Sequence, residues 1–377
     1  MERRKLDNLD MDVSLLGFGC MRFPLAEDKT IDKVEAQKMI DYAYENGVTY
    51  FDTAYVYHNG KSEEFVGEAL KKYPRDSYTL TTKLSMWLIK NLDGAKEMFA
   101  KQLEYLQTDY VDFYLLHALN KERWDFILKE GILDYLEELR AEGKIKHIGF
   151  SFHDKYDVFD EIIRYRKWDI CQIQLNYMDE NEQAGMKGYK LAEELGIPVA
   201  IMEPVRGGAL ANFSDGINDK FYALDKEKTI TSYAMRYFAD LPNVKVILSG
   251  MSNMDHVQDN IKTFDSLVPF NDAERKVIAE VRDILFSRIQ NNCTGCNYCM
   301  PCPHKVDIPQ NFKLWNMYHV FEATNVWDLS RLRLAKKDSS HCVGCGVCVS
   351  QCPQNIDIPA DLARVTPDLG KVASVKV

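Results

Sequence analysis

The chain has 377 residues, 46% of them hydrophobic, and its 57 acidic residues outnumber its 47 basic ones, which gives a net charge of −10. This length and composition allow one large domain and one small domain, each with its own core. The acidic balance, without a stripe rich in Lys and Arg, excludes a nucleic-acid surface, and no apolar run approaches the length of a membrane span, so neither nucleic acid nor a membrane is an expected partner.

Short β-branched runs alternate with amphipathic stretches from the N-terminus to about residue 270. The pattern opens with a predicted hairpin over residues 4–16. Predicted strands follow over residues 17–21, 49–54, 78–84, 111–117, 146–152, 170–176, 198–202 and 245–249. Predicted helices lie over residues 35–45, 63–72, 95–106, 132–142, 158–166, 189–195, 231–238 and 256–264. Eight strands that alternate with eight helices predict a closed parallel (β/α)8 TIM barrel, with the hairpin at its bottom.

The segment beyond the eighth predicted helix contains an internal repeat. A further helix is predicted over residues 272–289, and it leads into CTGCNYCMPCP…VDIP, which is echoed by CVGCGVCVSQCP…IDIP. Another helix is predicted between the two copies, over residues 312–321. The sequence therefore predicts a barrel domain over residues 1–285 and a small, mainly helical domain over residues 286–377.

Eight of the ten cysteines lie in this repeat, in two runs that each end in Cys-Pro. The runs are Cys293, Cys296, Cys299 and Cys302, then Cys342, Cys345, Cys348 and Cys352. The second run has the C-x2-C-x2-C-x3-C-P spacing of bacterial ferredoxins, in which three thiolates hold one iron–sulfur cluster and the fourth ligates the neighbouring cluster. Two 4Fe-4S clusters are predicted, one on Cys293, Cys296, Cys299 and Cys352, the other on Cys342, Cys345, Cys348 and Cys302.

Structural zinc and disulfides are the alternative uses of these cysteines. Zinc takes four sulfurs per ion, but it leaves the third-cysteine spacing and both Cys-Pro endings unexplained. The first run departs from the ferredoxin spacing, because only two residues separate Cys299 from Cys302. Disulfides need an oxidising compartment, whereas the opening MERRKLDNLD contains no apolar signal region, so we expect a cytoplasmic protein.

Four titratable side chains lie at or just beyond predicted strand ends, where the active sites of such barrels form. They are Asp52, Tyr57, Lys83 and His117. A phenol is a weak acid and base at neutral pH unless an ammonium group lies beside it, so Lys83 would activate Tyr57 while Asp52 keeps Lys83 charged. His117 would orient a substrate carbonyl. Taken singly, each residue also has an ordinary structural explanation, but their joint placement favours catalysis.

The sequences around these four residues, FDTA, the following Tyr, TTK and LLH, resemble the catalytic tetrad of the aldo-keto reductase superfamily. The similarity continues through GFGCMR, IGFS, CQIQLN, MEPVRGG and LSGMSNMDHVQDN. With the cysteine region, nearly the whole chain resembles the branch that carries a C-terminal ferredoxin domain, here of the helical ferredoxin type. The resemblance implies reduction of a small carbonyl substrate by NAD(P)H, with Tyr57 as proton donor.

The resemblance also implies that the dinucleotide lies extended across the barrel mouth. Ser151 and Gln172 match positions that bind the carboxamide, and Asp259 and Asn260 match a pair that holds adenine. The full set of implied contacts is Gly19, Cys20, Met21, Ser151, Gln172, Met202, Glu203, Pro204, Ser249, Gly250, Ser252, His256, Asp259 and Asn260.

Three positions depart from the family pattern in the nucleotide site. Phe152 replaces a frequent Asn, and Met202 replaces a frequent aromatic residue. His256 follows the last strand where NADPH-preferring relatives place Lys or Arg, so the choice between NADH and NADPH stays open, with Arg206 as a candidate compensating cation.

Hydride transfer moves two electrons at once, whereas an iron–sulfur cluster exchanges one at a time. A flavin, in this chain or in a partner, is the expected converter, although no flavin signature is present in the sequence. The main hypothesis is therefore a carbonyl reductase whose clusters connect it to a redox partner, a ferredoxin or flavoprotein, or stabilise the C-terminus. The alternatives are an electron-transfer reductase fed through the clusters, with the barrel pocket holding substrate or flavin, and a non-catalytic docking barrel.

Overall fold

The computed structural model describes residues 1–6 and 8–374. Asp7, within the predicted hairpin, and residues 375–377, at the end of the second predicted domain, lie outside the described residues. An antiparallel hairpin comes first, with strands β1 (Arg3–Leu6) and β2 (Met11–Ser14). Eight parallel strands follow: β3 (Leu16–Gly19), β4 (Tyr50–Asp52), β5 (Thr79–Leu84), β6 (Val111–Leu119), β7 (Ile145–Phe152), β8 (Ile170–Gln174), β9 (Val199–Met202) and β10 (Val244–Ser249).

These eight strands form one closed barrel, in which each strand pairs with the next along the chain and β10 pairs with β3. The predicted parallel barrel is therefore confirmed. Leu6 and Val13 of the hairpin pack with inward-facing residues near the strand starts, including Tyr50 and Phe113. This apolar layer closes the bottom of the barrel, so the carboxyl ends of the strands form the mouth at the other end.

Helices of the described residues are α1 (Lys33–Glu45), α2 (Ser62–Leu70), α3 (Leu92–Leu106), α4 (Lys121–Lys129), α5 (Ile132–Ala141), α6 (Tyr156–Tyr165), α7 (Gly185–Glu194), α8 (Asp215–Tyr222), α9 (Ile230–Arg236), α10 (Met254–Asp265), α11 (Asp272–Ser287), α12 (Ile308–Phe321), α13 (Val326–Leu334) and α14 (Ile358–Gly370). Within the described residues, no helix is long and apolar enough to cross a membrane. Sequence patterns did not predict α4, α8, α13 and α14. In α4, charged residues surround only two buried apolar ones, Trp124 and Ile127. The hydrophobic periodicity that marks a helix in the sequence is therefore weak there.

The chain divides into two compact units, and residues 212–224, which contain α8, belong with the second unit. The sequence repeat in that unit is also a structural repeat. Asp307 and Asp357 each cap the helix that follows, α12 and α14, by accepting a hydrogen bond from a backbone N–H three residues on, and a proline lies in the first turn of each helix. The domain boundary at residue 285 stays a prediction.

Candidate functional site

The four predicted catalytic side chains reach one region from three neighbouring strands and one turn. Asp52 ends β4, Lys83 lies in β5 and His117 lies in β6, while Tyr57 opens the 3₁₀ turn Tyr57–Gly60 that follows β4. Asp52 is paired with Thr81 across the sheet. Lys83 lies two residues beyond Thr81, on the same face of the strand, and this register brings its side chain alongside Asp52.

Lys83 is the centre of the group and is fully buried. Its Nζ donates to Asp52 Oδ1 at 2.5 Å, to the carbonyl oxygen of Thr53 at 2.8 Å and to Tyr57 Oη at 3.4 Å. The rings of Tyr57 and His117 lie edge to face, with 6.0 Å between their centres. The four side chains therefore gather around one point of the barrel mouth.

Burial and the charge of the neighbouring group shift the pKa values of Lys83, Asp52 and Tyr57 in opposite directions. Burial alone lowers the pKa of Lys83, but the charge of Asp52 and the hydrogen bonds to its two partners outweigh burial and raise that pKa. Burial raises the pKa of Asp52 against the opposing charge of Lys83. Burial also raises the pKa of Tyr57, and Lys83 offsets this only in part. The sequence predicts that Lys83 lowers the pKa of Tyr57. In the structure burial has the larger effect on this pKa, so the phenol keeps its proton at neutral pH.

His117 is held as a neutral imidazole. Burial, followed by the positive charge of Lys83, lowers its pKa well below the ordinary value. Its Nδ1 lies 2.9 Å from Ser85 Oγ, and its ring centre lies 4.9 Å from that of Trp87. Neutral imidazole has one N–H donor. If the Ser85 hydroxyl accepts from Nδ1, the proton is on Nδ1, and if the hydroxyl donates to Nδ1, the proton is on Nε2.

Two of the implied nucleotide contacts carry buried acceptor atoms that have no hydrogen-bond partner among the described residues. Gln172 Oε1 and Asn260 Oδ1 are both in this state, although the Asn260 amide donates to Ser249 Oγ at 2.8 Å. An unsatisfied buried acceptor is costly, and donors such as a carboxamide or an adenine amino group would satisfy both atoms. The residues present therefore fit a nicotinamide dinucleotide.

The other implied nucleotide contacts lie at or near the strand ends. Gly19, Cys20 and Met21 end or follow β3, Met202, Glu203 and Pro204 end or follow β9, and Gly250 and Ser252 follow β10. Ser151 Oγ accepts from the backbone N–H of Ala118 at 2.7 Å, and Asp259 accepts from Thr229 at 2.7 Å. His256 lies in the first turn of α10, where its Nδ1 accepts from Ser252 N–H at 3.3 Å. Arg206, the candidate compensating cation, pairs with Asp179 at 3.1 Å.

Comparison with known proteins places this geometry in a family. The sequence profile described as "Aldo/keto reductase family" matches residues 15–283, more than half of the chain. The chain belongs to the aldo/keto reductase family. A second profile, "4Fe-4S dicluster domain", matches residues 292–356 of this reductase. The protein is therefore an oxidoreductase with a C-terminal 4Fe-4S dicluster domain.

Individual relatives align with 70% to 76% of this reductase. The oxidoreductase YqkF of Bacillus subtilis is 27% identical over 295 residues, which is 70% of this chain and 90% of that protein. The NADH-specific methylglyoxal reductase of Escherichia coli is 27% identical over 335 residues, which cover 76% of this chain and 99% of that enzyme. The holo form of an aldo-keto reductase from Bacillus halodurans, 28% identical, superposes with a TM-score of 0.62 over 74% of this chain and 96% of that one.

The eight cysteines of the reductase surround two separate cavities. The first cavity is lined by Cys293, Cys296, Cys299 and Cys352. The second is lined by Cys302, Cys342, Cys345 and Cys348. Each cavity thus takes three thiols from one run and the fourth from the other.

The thiol set of each cavity suits a 4Fe-4S cluster. Such a cluster is held by four thiolates, and four thiols line each cavity. In the described part of the chain, no three His, Cys, Asp or Glu side chains are close enough to bind a single metal ion.

Sequence reasoning missed a buried polar group behind the reductase tetrad. Glu63 Oε1 accepts hydrogen bonds from Thr82 and from the amide of Gln102, and that amide also donates to the carbonyl oxygen of Lys83 at 3.0 Å. Burial raises the pKa of Glu63 to about 7. Nothing in the spacing of these residues marks them, because they converge from α2, β5 and α3.

Proposed function

We propose that the protein reduces a carbonyl substrate with NAD(P)H, with Tyr57 as the proton donor. The observation that supports this most is the position of Lys83 Nζ, which contacts both Asp52 and Tyr57 in a buried site. The bound nicotinamide would supply the hydride. Every other requirement of the reaction falls to residues of this chain.

In this mechanism the tetrad delivers a proton and stabilises charge. His117, kept neutral, donates an N–H hydrogen bond that orients the substrate carbonyl oxygen. Tyr57 then gives its proton to that oxygen, and the charge of Lys83 stabilises the phenolate left behind. Asp52 holds Lys83 in place through the 2.5 Å contact. Because Lys83 is fully buried, its field at Tyr57 is little weakened by water.

We propose that Ser151, Gln172 and Asn260 hold the dinucleotide, which the unsatisfied acceptors of the last two support. The segment from Ser252 to His256 contains no Lys or Arg. A 2′-phosphate is held best by such cations, so NADH is the favoured form. The related enzyme of Escherichia coli is named as NADH-specific.

We further propose that the two cavities hold two 4Fe-4S clusters with crossed fourth ligands, in a protein that works in a reducing cytoplasm. The second candidate function, electron transfer through these clusters to or from a ferredoxin or flavoprotein, is favoured by the four-thiol lining of each cavity. Flavin has no support beyond the need for a two-to-one electron converter.

Anaerobically purified protein tests both candidates in one experiment. Turnover of simple aldehydes with NADH supports carbonyl reduction, and absence of turnover with both NADH and NADPH would reject it. Cluster absorbance is recorded in parallel. Bleaching by a pyridine nucleotide alone would reveal an internal electron converter and favour the second candidate. Bleaching by dithionite alone would favour separate roles for the barrel site and the clusters.

A further inference from the structure

We infer that Arg123 binds a carboxylate group of the substrate, so that the enzyme acts on short aldehydes or ketones that carry a carboxylate a few carbons from the carbonyl. The inference rests on the proposed function and specifies its substrate class. It is based on the position of Arg123 and on the lack of an ion pair between it and a carboxylate among the described residues.

Arg123 is linked to the tetrad through one aromatic ring. It lies in the first turn of α4, just after β6, the strand that carries His117. Its guanidinium carbon lies 4.4 Å from the ring centre of Trp87, and that ring is 4.9 Å from the imidazole of His117. The guanidinium, the indole and the imidazole therefore follow one another along one side of the site. A substrate whose carbonyl meets His117 would extend along the indole towards the guanidinium.

In the part of the chain that the structure describes, Arg123 forms no ion pair with a carboxylate, and the one carboxylate that acts on its charge is that of the adjacent Glu122. Its Nη1 donates to the carbonyl oxygen of Ala118, which leaves other N–H donors of the guanidinium for a ligand. The side chain is partly buried, and removal of a charge from water without a partner costs free energy. On the same helix, exposed Lys121 pairs with Asp125 and Glu161. A guanidinium is the side chain best suited to two parallel hydrogen bonds with a carboxylate.

A purely structural role for Arg123 predicts a different behaviour. Ala118 directly follows His117 and has a positive φ of 52°, so the bond from Arg123 to its carbonyl oxygen also holds the backbone beside the catalytic histidine. Loss of that bond alone would impair all substrates equally. Loss of an anion site would instead impair carboxylate substrates selectively.

The test compares succinic semialdehyde with butanal, two four-carbon aldehydes that differ in a terminal carboxylate. We expect wild-type enzyme to prefer succinic semialdehyde by kcat/KM. In Arg123→Gln, the ratio of the two kcat/KM values should fall about tenfold to a hundredfold, the range of one charge-assisted pair. Arg123→Lys should retain part of the preference. Lys129→Gln, at the far end of α4, removes an exposed charge and should leave the ratio unchanged.

An unchanged ratio in Arg123→Gln would overturn the inference while leaving carbonyl reduction intact. If neither aldehyde is reduced, the proposed function is rejected. The carboxylate site can then still be tested by a binding measurement. Calorimetric titration with succinate should then show binding to wild type that weakens at least tenfold in Arg123→Gln and stays constant in Lys129→Gln. Equal affinity of all three proteins, or no binding to wild type, would also overturn the inference.

Discussion

At the scale of single residues, the proposed mechanism depends on a proton donor, Tyr57, that stays protonated until the substrate is bound. Burial raises the pKa of Tyr57, and the ammonium of Lys83 only partly offsets this. The neutral phenol is the correct form for the reductive direction. Lys83 matters most after the proton has left, when it faces a phenolate at the 3.4 Å separation seen here.

Replacement of Tyr57 by Phe should therefore remove the proton donor while the packing is largely kept. We expect kcat for carbonyl reduction to fall by about 10² to 10⁴, the usual contribution of general acid catalysis, in steady-state assays with NADH. Tyr55→Phe is the matched control, since Tyr55 lies in the same loop and stacks on Tyr105 instead. Intact turnover in Tyr57→Phe would show that another group donates the proton.

At the scale of elements, α2 packs behind the site through a buried carboxyl group. The pKa of Glu63 rises from its ordinary value of 4.5 to about 7 on burial. Between these values the folded protein binds a proton that the unfolded chain has lost. Stability is therefore fully present below pH 4.5 and falls as the pH rises towards 7, by at most about 3 kcal/mol.

Glu63→Gln should abolish this part of the pH dependence. The amide oxygen can still accept from Thr82 and Gln102, so the hydrogen bonds of Oε1 are kept. We expect the thermal midpoint of the variant to drop less between pH 5.5 and pH 8 than that of wild type. Glu64→Gln, which alters the exposed neighbour that pairs with Lys61, is the control. Parallel curves for wild type and Glu63→Gln would contradict a protonated Glu63.

The two cysteine runs provide a second prediction at this scale, because each cavity takes its fourth thiol from the opposite run. Cys352→Ser should perturb the cluster of the first run, and Cys302→Ser the cluster of the second. Iron analysis and electron paramagnetic resonance of both variants should show different losses. Identical spectra, or loss of the cluster of the same run, would reject the crossing.

The barrel strands could be predicted because short runs rich in β-branched residues alternate regularly with helical patterns. The helices that escaped prediction are short or rich in charge, as α4 is, so their period is masked. Residue types at predicted strand ends indicated the four side chains that gather around Lys83, and their catalytic role stays a proposal. Arg123 and the Glu63 group were not indicated in this way, because their relevance depends on contacts between elements far apart in the chain. The direction of the Tyr57 shift also needed the structure, since burial depth has no local sequence signal.

At the scale of the whole molecule, one segment of the barrel sequence belongs with the second compact unit. Residues 212–224 belong with the second unit, where Lys220 of α8 pairs with Glu280 of α11 at 2.8 Å. Ile217 and Phe221 of α8 are buried in the same unit. A segment from the middle of the barrel sequence thus depends on residues that follow the barrel.

Truncation after Asp272 should therefore leave α8 without its packing partners. Each apolar side chain that becomes exposed loses about 1.5–3 kcal/mol of favourable burial free energy. We therefore expect the backbone amides of α8 to lose their protection in hydrogen exchange. A chain that ends at Gln290 keeps α11 and should retain more of this protection. Equal protection in both truncated chains would show that α8 folds independently of α11.

The exchange of one thiol between the two runs ties cofactor loading to chain completion. A polypeptide that stops before Cys342 offers no complete set of four sulfurs, and one that stops before Cys352 completes only the second. Insertion of the proposed clusters would therefore have to wait until both halves of the repeat exist and have met. A product that stops before Cys342 would hold neither cluster and remain colourless, so the brown tint of a preparation would report chains that extend at least through Cys348.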